Sequence, residues 1–404
     1  MTTYADPPRR TGDRPRRRAD RPEPPPSRPA LKDPLWAKLS IILGAVVMVV
    51  SGLSVVVPKI ATAWFSSGIP RVDAIPDELR GANIDGPINF LLVGMDEREG
   101  EGVDGVRADS IVLVHIPAAH DRVFMISMPR DARVEIPPFP QTNFTGMTAK
   151  INSAFSFGAR EAGPGPTVWD RKFDLSPDGR ARGAALTMLT ISKLVPGGLK
   201  FNGAAIIDFK GFEAVVNALG GVHMCIDTDL YSIHYYPNGT KAGNPLHEDY
   251  GGRYGTGKHY TIECRDMQPW EALDYSRQRY NLPNGDYDRQ RHQQQLLKAI
   301  VKKVASTDTI TNFSTLKKLQ EAAGDLLTLD TGGNKLEDWV LTMSSLRAED
   351  MILIKTNGGK YSPIGDGTSD EQLLPDTLEL LKSVQTDTVF DFLATHQDWI
   401  TPDK

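Results

Sequence analysis

Three short apolar stretches follow one another in the first half of the chain, at 88–93, 110–116 and 122–128. Each is rich in β-branched and other apolar residues at both odd and even positions, which is typical of strands covered on both faces. The short link at 117–121 predicts a hairpin between the second and third stretches. The pattern therefore predicts neighbouring strands of a buried sheet.

Apolar residues recur at helical spacing farther along the chain. The clearest stripe predicts a helix at 288–304, and Gly220-Gly221 is a typical helix stop. The other predicted helices are 183–194, 212–219, 316–327, 336–346 and 374–381. The region beyond Ser306 is expected to continue the same domain as helices. Strands mixed with helices predict an α/β or α+β sandwich. Of the two, we expect the α/β class, with an α-β-α sandwich around a central mixed β-sheet.

One apolar stretch is too long for a strand. Residues 39–57 carry no charge, and about twenty apolar residues are needed for a helix to cross a bilayer. The preceding residues 1–38 hold ten Lys or Arg against five acids, which predicts a cytoplasmic N-terminus and an extracytoplasmic main domain. A cleaved signal peptide is the alternative, because Ala61-Thr62-Ala63 resembles a cleavage site.

These patterns divide the chain into four parts and place it at the cell membrane as a single-pass protein. The Pro- and Arg-rich start contains almost nothing that could pack, so it is predicted to be disordered. The predicted parts are a basic cytoplasmic tail at 1–35, a transmembrane helix at 36–58, an extracytoplasmic stalk at 59–86 and a folded main domain at 87–398.

Acidic and basic residues collect where the predicted strands end. A hairpin turn at 117–121 places Asp109 opposite Arg130, and Asp96 closes the preceding strand. If the first two strands are antiparallel, Asp96, Asp109 and Arg130 meet at one end of the sheet.

Two more arginines, Arg98 and Arg107, belong to the loop between the two acids. Carboxylates bind Mg²⁺ through oxygen, and arginines clamp phosphate oxygens, so this set suits a complex of Mg²⁺ with a diphosphate. The alternative is an ordinary cluster of surface salt bridges.

A second basic cluster lies at 277–293. Arg289 and Gln293 share one face of the predicted helix with its buried stripe, and a cation there requires a partner or an anion. The start of a helix also attracts phosphate. Asp286 could instead serve only as a cap for the helix.

Other classes of site have little support. The eight His lack the spacing of a zinc motif, and no G-x-S-x-G sequence occurs. Cys225 and Cys264 are the only cysteines. Outside the cell such a pair is expected to form a disulfide, with two buried free thiols as the alternative.

Five ordered segments together resemble the LytR-CpsA-Psr family of cell-wall glycopolymer ligases, of Gram-positive and actinobacterial type. They span roughly 85–305, behind one predicted membrane helix. The segments are NFLLVGMDER at 89–98, RADS at 107–110, SMPRD at 127–131, KIN at 150–152 and RQRYNLPNGDYDRQRHQ at 277–293.

The resemblance implies a role for each residue of the two clusters. Asp96 and Asp109 match the acids associated with Mg²⁺ or Mn²⁺, and Asp286 matches a further catalytic acid. The residues that match the lipid-diphosphate-binding set are Arg98, Arg107, Arg130, Arg277, Arg279, Arg289 and Gln293. His292 stands where the family often has Arg, and Met128 where Ile is more usual.

The resemblance also implies a reaction. A phosphotransferase would move a glycopolymer (teichoic acid, capsule or an arabinogalactan-like polymer) from a polyprenyl diphosphate carrier to peptidoglycan, with Asp131 or Asp286 as a possible base. The lipid would occupy an apolar tunnel, for which 212–219 and the Leu186/Leu189/Ile191 face are candidates, although such stripes often form plain core.

Two alternatives come from other classes of protein. One is a protein that binds polyprenyl lipids without turning them over. The other is a membrane-bound transcriptional attenuator, in which only the Arg-rich tail could reach DNA. That tail has no recognisable DNA-binding fold, so no nucleic-acid partner is expected.

Overall fold

A computed structural model of the 404-residue chain describes residues 71–97, 106–165, 167–306 and 313–401. The predicted cytoplasmic tail and transmembrane helix lie outside the described residues. Among the described residues, no helix has both the length and the apolar character needed to cross a bilayer.

The centre of the described fold is a six-stranded mixed sheet. Its strands are β1 (Ile88–Glu97), β2 (Val106–Ile116), β3 (Val123–Met128), β6 (Gly203–Asp208), β11 (Leu327–Asp330) and β12 (Met351–Lys355). They lie in the order β11-β6-β1-β2-β3-β12. The β1–β6 and β3–β12 pairs are parallel, and the other three are antiparallel. The three predicted strands and the hairpin are therefore confirmed.

Shorter strand pairs lie outside this sheet. They are β4 (Arg133–Ile136) with β5 (Met147–Lys150), β7 (Val222–Ile226) with β10 (Glu263–Met267), and β8 (Leu230–Tyr231) with β9 (His259–Tyr260).

All six predicted helices are present among the helices of the described residues. These are α1 (Asn152–Gly158), α2 (Pro177–Lys193), α3 (Phe209–Ala218), α4 (Pro269–Arg277), α5 (Asp286–Val304), α6 (Phe313–Leu326), α7 (Leu336–Thr342), α8 (Pro375–Gln385) and α9 (Val389–Thr395). Local chemistry sets several ends. The Asp208 carboxylate accepts a hydrogen bond from the Gly211 amide at the start of α3, and Gly220 and Gly221 follow it with positive φ.

Helices cover both faces of the sheet. Leu91 and Val93 of β1 belong to the same buried cluster as Phe155 of α1 and Leu186 of α2. Side chains of the opposite parity point to the other face, where Phe90 packs edge-on against Trp339 of α7. The central mixed sheet and the sandwiched layers agree with the predicted fold class.

Two expectations about the ends of the domain need correction. The region beyond Ser306 is not only helical, because β11 and β12 add strands at the two edges of the sheet. The second half of the predicted stalk is folded. The amides of Ala74 and Ile75 donate to Asp330 at 2.7 and 2.9 Å, and Leu79 is buried. The folded domain therefore includes Arg71 and the residues that follow it.

Candidate active site

A bulge in β2 aims Asp109 into the site. Gly94 pairs with Ser110 and Met95 pairs with Ala108, so Asp109 between them has no partner on β1. A bulge bends its strand and redirects the extra side chain. Gly94 fits here because a Cβ would lie 3.0 Å from the Cβ of Ser110.

Arg130 reaches Asp109 as the sequence predicts. The register of β2 and β3 pairs Ile111 with Met128, which extends to Asp109 opposite Arg130. Nη1 of Arg130 donates to Oδ1 of Asp109 at 2.6 Å, and both residues are only 8% exposed. Such a charge-assisted bond is among the stronger kinds in proteins.

The start of α5 brings the second basic cluster to the same place. Nε of Arg130 lies 3.5 Å from Asp286 and 3.6 Å from Asp131, while Arg289 forms an ion pair with Asp286 one helical turn earlier. The predicted convergence of the 277–293 segment on Asp109 is therefore confirmed for Asp286 and Arg289. Gly285, with φ 55°, makes the turn that leads into the helix.

Burial and the neighbouring charges shift the pKa values of the residues in this cluster in different directions. Burial lowers the pKa of Arg130, but Asp109, Asp286 and Asp131 outweigh it and raise the net pKa. Burial lowers the pKa of Arg289, and Asp286 offsets only part of this effect. Burial raises the pKa of Asp286, but Arg289 and Arg130 outweigh it and hold the pKa below its usual range.

Several donors of the cluster have no acceptor within the part of the chain that the structure describes. They are Nε of Arg130 and both Nε and Nη2 of Arg289, the last of which touches Asp286 without hydrogen-bond geometry. A buried unsatisfied donor is costly. The site therefore has unused capacity to bind an anion.

An apolar cavity of about 200 Å³ begins beside this cluster, at Ser110 and Gln293. Its polar residues include Ser110, Ser276 and Gln293. The apolar wall includes Leu92, Val112, Ala205, Ile207, Phe212, Val215, Leu273, Leu296, Leu297, Ile300 and Leu327. The predicted 212–219 segment does line this cavity, whereas Leu186 and Ile191 are core residues on the other face of the sheet.

The remaining predicted arginines differ in their placement. Arg279 is exposed, and its charge acts on the pKa of both Asp286 and Arg289, so it lies near the cluster. Arg277 lines a separate small cavity instead, with Trp270 and Asp274 among its neighbours.

The acids and arginines of the first loop are described only in part. Arg107 is exposed and pairs in β2 with Asp96 of β1. The side chain of Asp96 and the whole of Arg98 lie outside the described part of the chain.

Several neighbours of the cluster were missed from the sequence. Lys150 donates to Asp131 at 2.7 Å, and buried Glu371 accepts from Tyr287 at 2.7 Å. Lys150 belongs to the KIN segment, so the motif itself could have indicated that this residue lies near the site. Glu371 lies far from every motif, so local pattern gave no indication of it.

His292 belongs to a structural network behind the site. It is fully buried, and its Nε2 lies 3.0 Å from both Asp227 and the Tyr275 hydroxyl. Arg291 also donates to Asp227, at 2.8 Å. This network fastens α5 to the segment after β7, so His292 supports the helix and hydrogen-bonds to neither Arg130 nor Arg289.

Cys225 and Cys264 form a disulfide. They are directly opposite in the β7–β10 pair, which brings together residues 39 apart in sequence.

The donor set offers partial support for a divalent cation. Asp109 supplies carboxylate oxygens and Asp96 belongs to the neighbouring strand, and hard cations prefer such ligands. No group of three His, Cys, Asp or Glu side chains that could hold a metal occurs among the described side chains, which do not include that of Asp96.

The motif order and this geometry agree with a match between residues 70–362 and the sequence profile of the LytR_cpsA_psr family. The chain belongs to the LytR-CpsA-Psr family. Two similar relatives are named polyisoprenyl-teichoic acid–peptidoglycan teichoic acid transferase TagU. The Enterococcus faecalis protein is 26% identical over 56% of this chain and 57% of its own length. The Bacillus licheniformis protein is 27% identical over 74% and 78%.

A third relative, biofilm regulatory protein A of Streptococcus mutans, is 24% identical over 56% of this chain and 46% of its own length. The chain thus spans about half the length of two of these three relatives.

Solved structures of the family share this fold. TagV of B. subtilis superposes with a TM-score of 0.51 at 19% identity, over 75% of this chain and 98% of that protein. TagT bound to LI-WTA gives 0.51 at 21% identity, over 78% and 97%.

Proposed function

We propose that this protein is a membrane-anchored phosphotransferase that moves a glycopolymer from a polyprenyl diphosphate carrier onto peptidoglycan. The observation that carries the proposal is that individual buried N–H donors of Arg130 and Arg289 lack acceptors, next to an apolar cavity. A diphosphate would satisfy the donors, and the prenyl chain would fill the cavity. A polyprenyl diphosphate contains both the phosphate oxygens and the apolar chain that these two features would bind.

The names of the TagU relatives support the same donor and acceptor classes, a polyisoprenyl-linked teichoic acid and peptidoglycan. Identities of 26–27% do not identify which polymer is transferred, because different wall polymers can share one carrier head group.

The proposed reaction is an in-line substitution at phosphorus. A peptidoglycan hydroxyl attacks the phosphorus that bears the sugar, a new P–O bond forms, and the bridging P–O bond breaks to release polyprenyl phosphate. The hydroxyl proton passes to a base or to water. Arg130 and Arg289 would orient the diphosphate and neutralise its growing charge, which is the main requirement of phosphoryl transfer.

The two candidate bases differ in their surroundings. The low pKa of Asp286 makes it a weak proton acceptor, because two arginines stabilise its charge. Asp131 is paired with Lys150 at 2.7 Å. We assign Asp286 the role of holding Arg130 and Arg289 in place.

We further propose that Mg²⁺ or Mn²⁺ binds at Asp109 and Asp96. The cation would supply extra neutralisation of phosphate charge. Asp109 would then share its carboxylate between the cation and Arg130, which it contacts at 2.6 Å.

The test is a transfer assay with the full-length chain, a polyprenyl diphosphate-linked glycan and peptidoglycan, with Mg²⁺ or with a chelator. Covalent product that requires Mg²⁺ supports the enzyme and its metal. Lipid that co-purifies without any product would instead identify a polyprenyl-binding protein. If the chain shows no lipid binding and no product, and its deletion alters transcription, the result would favour the transcriptional attenuator.

A further inference from the structure

A segment that continues past the family match folds back onto the active site. We name residues 362–372 the strap. Its Glu371 amide donates to the carbonyl of Asp131 at 3.1 Å, and the Arg133 amide donates to the carbonyl of Glu371 at 2.8 Å. The strap is therefore hydrogen-bonded to the chain directly after Arg130.

Ion pairs fasten the strap on the same side. Arg133 contacts Asp366 and Asp370, both at 2.6 Å. Lys150 contacts Asp131 at 2.7 Å and Asp370 at 3.6 Å. Arg133 and Lys150 thus both tie the strap to the edge of the site.

The side chain of Glu371 reaches the other half of the site. It is 2% exposed and accepts a hydrogen bond of 2.7 Å from the hydroxyl of Tyr287, which directly follows Asp286 in α5. The side-chain amide of Asn357 donates to the same hydroxyl at 3.1 Å. The backbone of Glu371 therefore binds the chain that follows Arg130, and its carboxyl group binds α5.

We propose that Glu371 is a positioning residue, which keeps Arg130 against the start of α5 and does so best when its carboxyl group is protonated. The proposal rests on the proposed function and deepens it, because it names the group that sets the pH range of the transfer. Glu371 itself touches no reacting atom.

The charges around Glu371 explain why protonation matters. Burial is the largest cause of a net rise in the pKa of Glu371 to about 7, and the charges of Asp131 and Asp286 add to it. Hydrogen bonds from the Tyr287 hydroxyl and the Ser362 backbone act in the opposite direction and offset only part of the rise. The other charged groups nearby are Arg133, Lys150 and Asp370, which are paired with one another or with Asp131 and Asp366. Among the described residues no cation pairs with Glu371, so its ionised form would face the carboxylates of Asp131 and Asp286.

The sign of the pH effect follows from the raised pKa. A carboxyl group that is harder to ionise when folded contributes stability below its unfolded pKa and loses it as the pH rises through the folded value. The strap should therefore hold more firmly at pH 6 than at pH 8, and most of this stabilisation should be lost by about pH 7. Transfer should fall over the same range.

The experiment compares Glu371→Gln with the unchanged full-length chain between pH 5.5 and 8.5. Glutamine mimics the protonated acid, so the variant should lose the alkaline fall and exceed the unchanged chain roughly tenfold in kcat/KM one unit above the folded pKa. Glu349→Gln, at an exposed site, should keep the fall. An alkaline fall in Glu371→Gln equal to that of the unchanged chain would overturn the proposal.

A second variant keeps the test decisive if Glu371→Gln folds poorly. Tyr287→Phe removes a hydrogen bond that favours the ionised carboxyl group, so it should move the fall to higher pH. A purely structural role would lower activity at every pH without moving the fall, and that result would also overturn the proposal.

Hydrogen exchange separates this proposal from the proposed function. After correction for intrinsic rates, protection of the Glu371 and Arg133 amides should drop between pH 6 and 8 in the unchanged chain and persist in Glu371→Gln. A chain that transfers nothing but shows this drop would refute the proposed function alone. Equal protection at both pH values would refute the role of Glu371.

Discussion

At the scale of single residues, Asp109 is set apart because it has no partner on the neighbouring strand β1. Its place in a bulge frees its backbone from the β1 ladder, and its carboxylate meets Arg130 at 2.6 Å. Because buried polar groups need partners, the Asp109–Arg130 pair restricts the positions that both side chains can take at this end of the sheet. The same carboxylate is the proposed metal ligand, so its removal should affect chemistry much more than folding.

We expect Asp109→Ala to abolish detectable transfer while the protein stays folded. Arg130 would keep Asp131 and Asp286 within 3.6 Å, so the free energy of unfolding should fall by only about 2–3 kcal/mol. The measurements are product formation and a urea denaturation curve. Asp121→Asn, at the turn end of the same hairpin, is the control and should be active. Full activity of Asp109→Ala would refute the metal assignment.

At the scale of elements, β6 separates two environments. Ala204 belongs to the packed core on one face, whereas its neighbour Ala205 lines the cavity on the other. Successive side chains of a strand point to opposite faces, so the same substitution should affect lipid binding at one position and stability at the other.

Ala205→Leu should weaken binding of a polyprenyl diphosphate roughly tenfold, because the added carbons displace about two methylene groups of the lipid. It should not lower stability. Ala204→Leu should instead destabilise the protein by about 1–3 kcal/mol through overpacking, with a smaller change in lipid affinity. Lipid binding and thermal unfolding measure both. Equal lipid affinity in Ala205→Leu and the unchanged chain would exclude this cavity as the lipid site.

The disulfide stabilises the β7–β10 pair beside α5. Replacing Cys225 and Cys264 together by Ser should reduce the free energy of unfolding by about 3–4 kcal/mol, given the separation of 39 residues. Denaturation with and without a reducing agent tests this expectation. The doubly substituted chain should be insensitive to the reductant, and equal stability of all forms would contradict the expected stabilisation.

At the scale of the whole molecule, the predicted membrane helix at 36–58 would fix the site to the cell membrane. An anchor would hold the cavity close to the bilayer that carries its polyprenyl substrate, and it would raise the effective concentration of that lipid. The basic residues before the helix set the predicted orientation.

We expect the full-length chain to remain with membranes after an alkaline carbonate wash. A variant that begins at residue 59 should be released into the soluble fraction and still bind a polyprenyl diphosphate in detergent. Protease added outside intact cells should cleave the main domain and spare the N-terminal tail. Release of the full-length chain by carbonate would contradict the anchor.

Local sequence determined much of this protein. Periodicity alone located β1, β2, β3 and the main helices, because the spacing of apolar residues reflects which faces are buried. The length of one hairpin turn was enough to place Asp109 opposite Arg130. The ordered motifs predicted the family, which the profile match confirms.

Only the tertiary structure decided the rest. The edge strands β11 and β12 are short and were missed, since their pairing depends on distant partners. The same holds for Glu371, which contacts Tyr287 from 84 positions away in sequence. It also holds for Arg277, which lines a different cavity from Gln293. Local patterns record burial and turns, whereas the meeting of distant side chains depends on how whole elements pack.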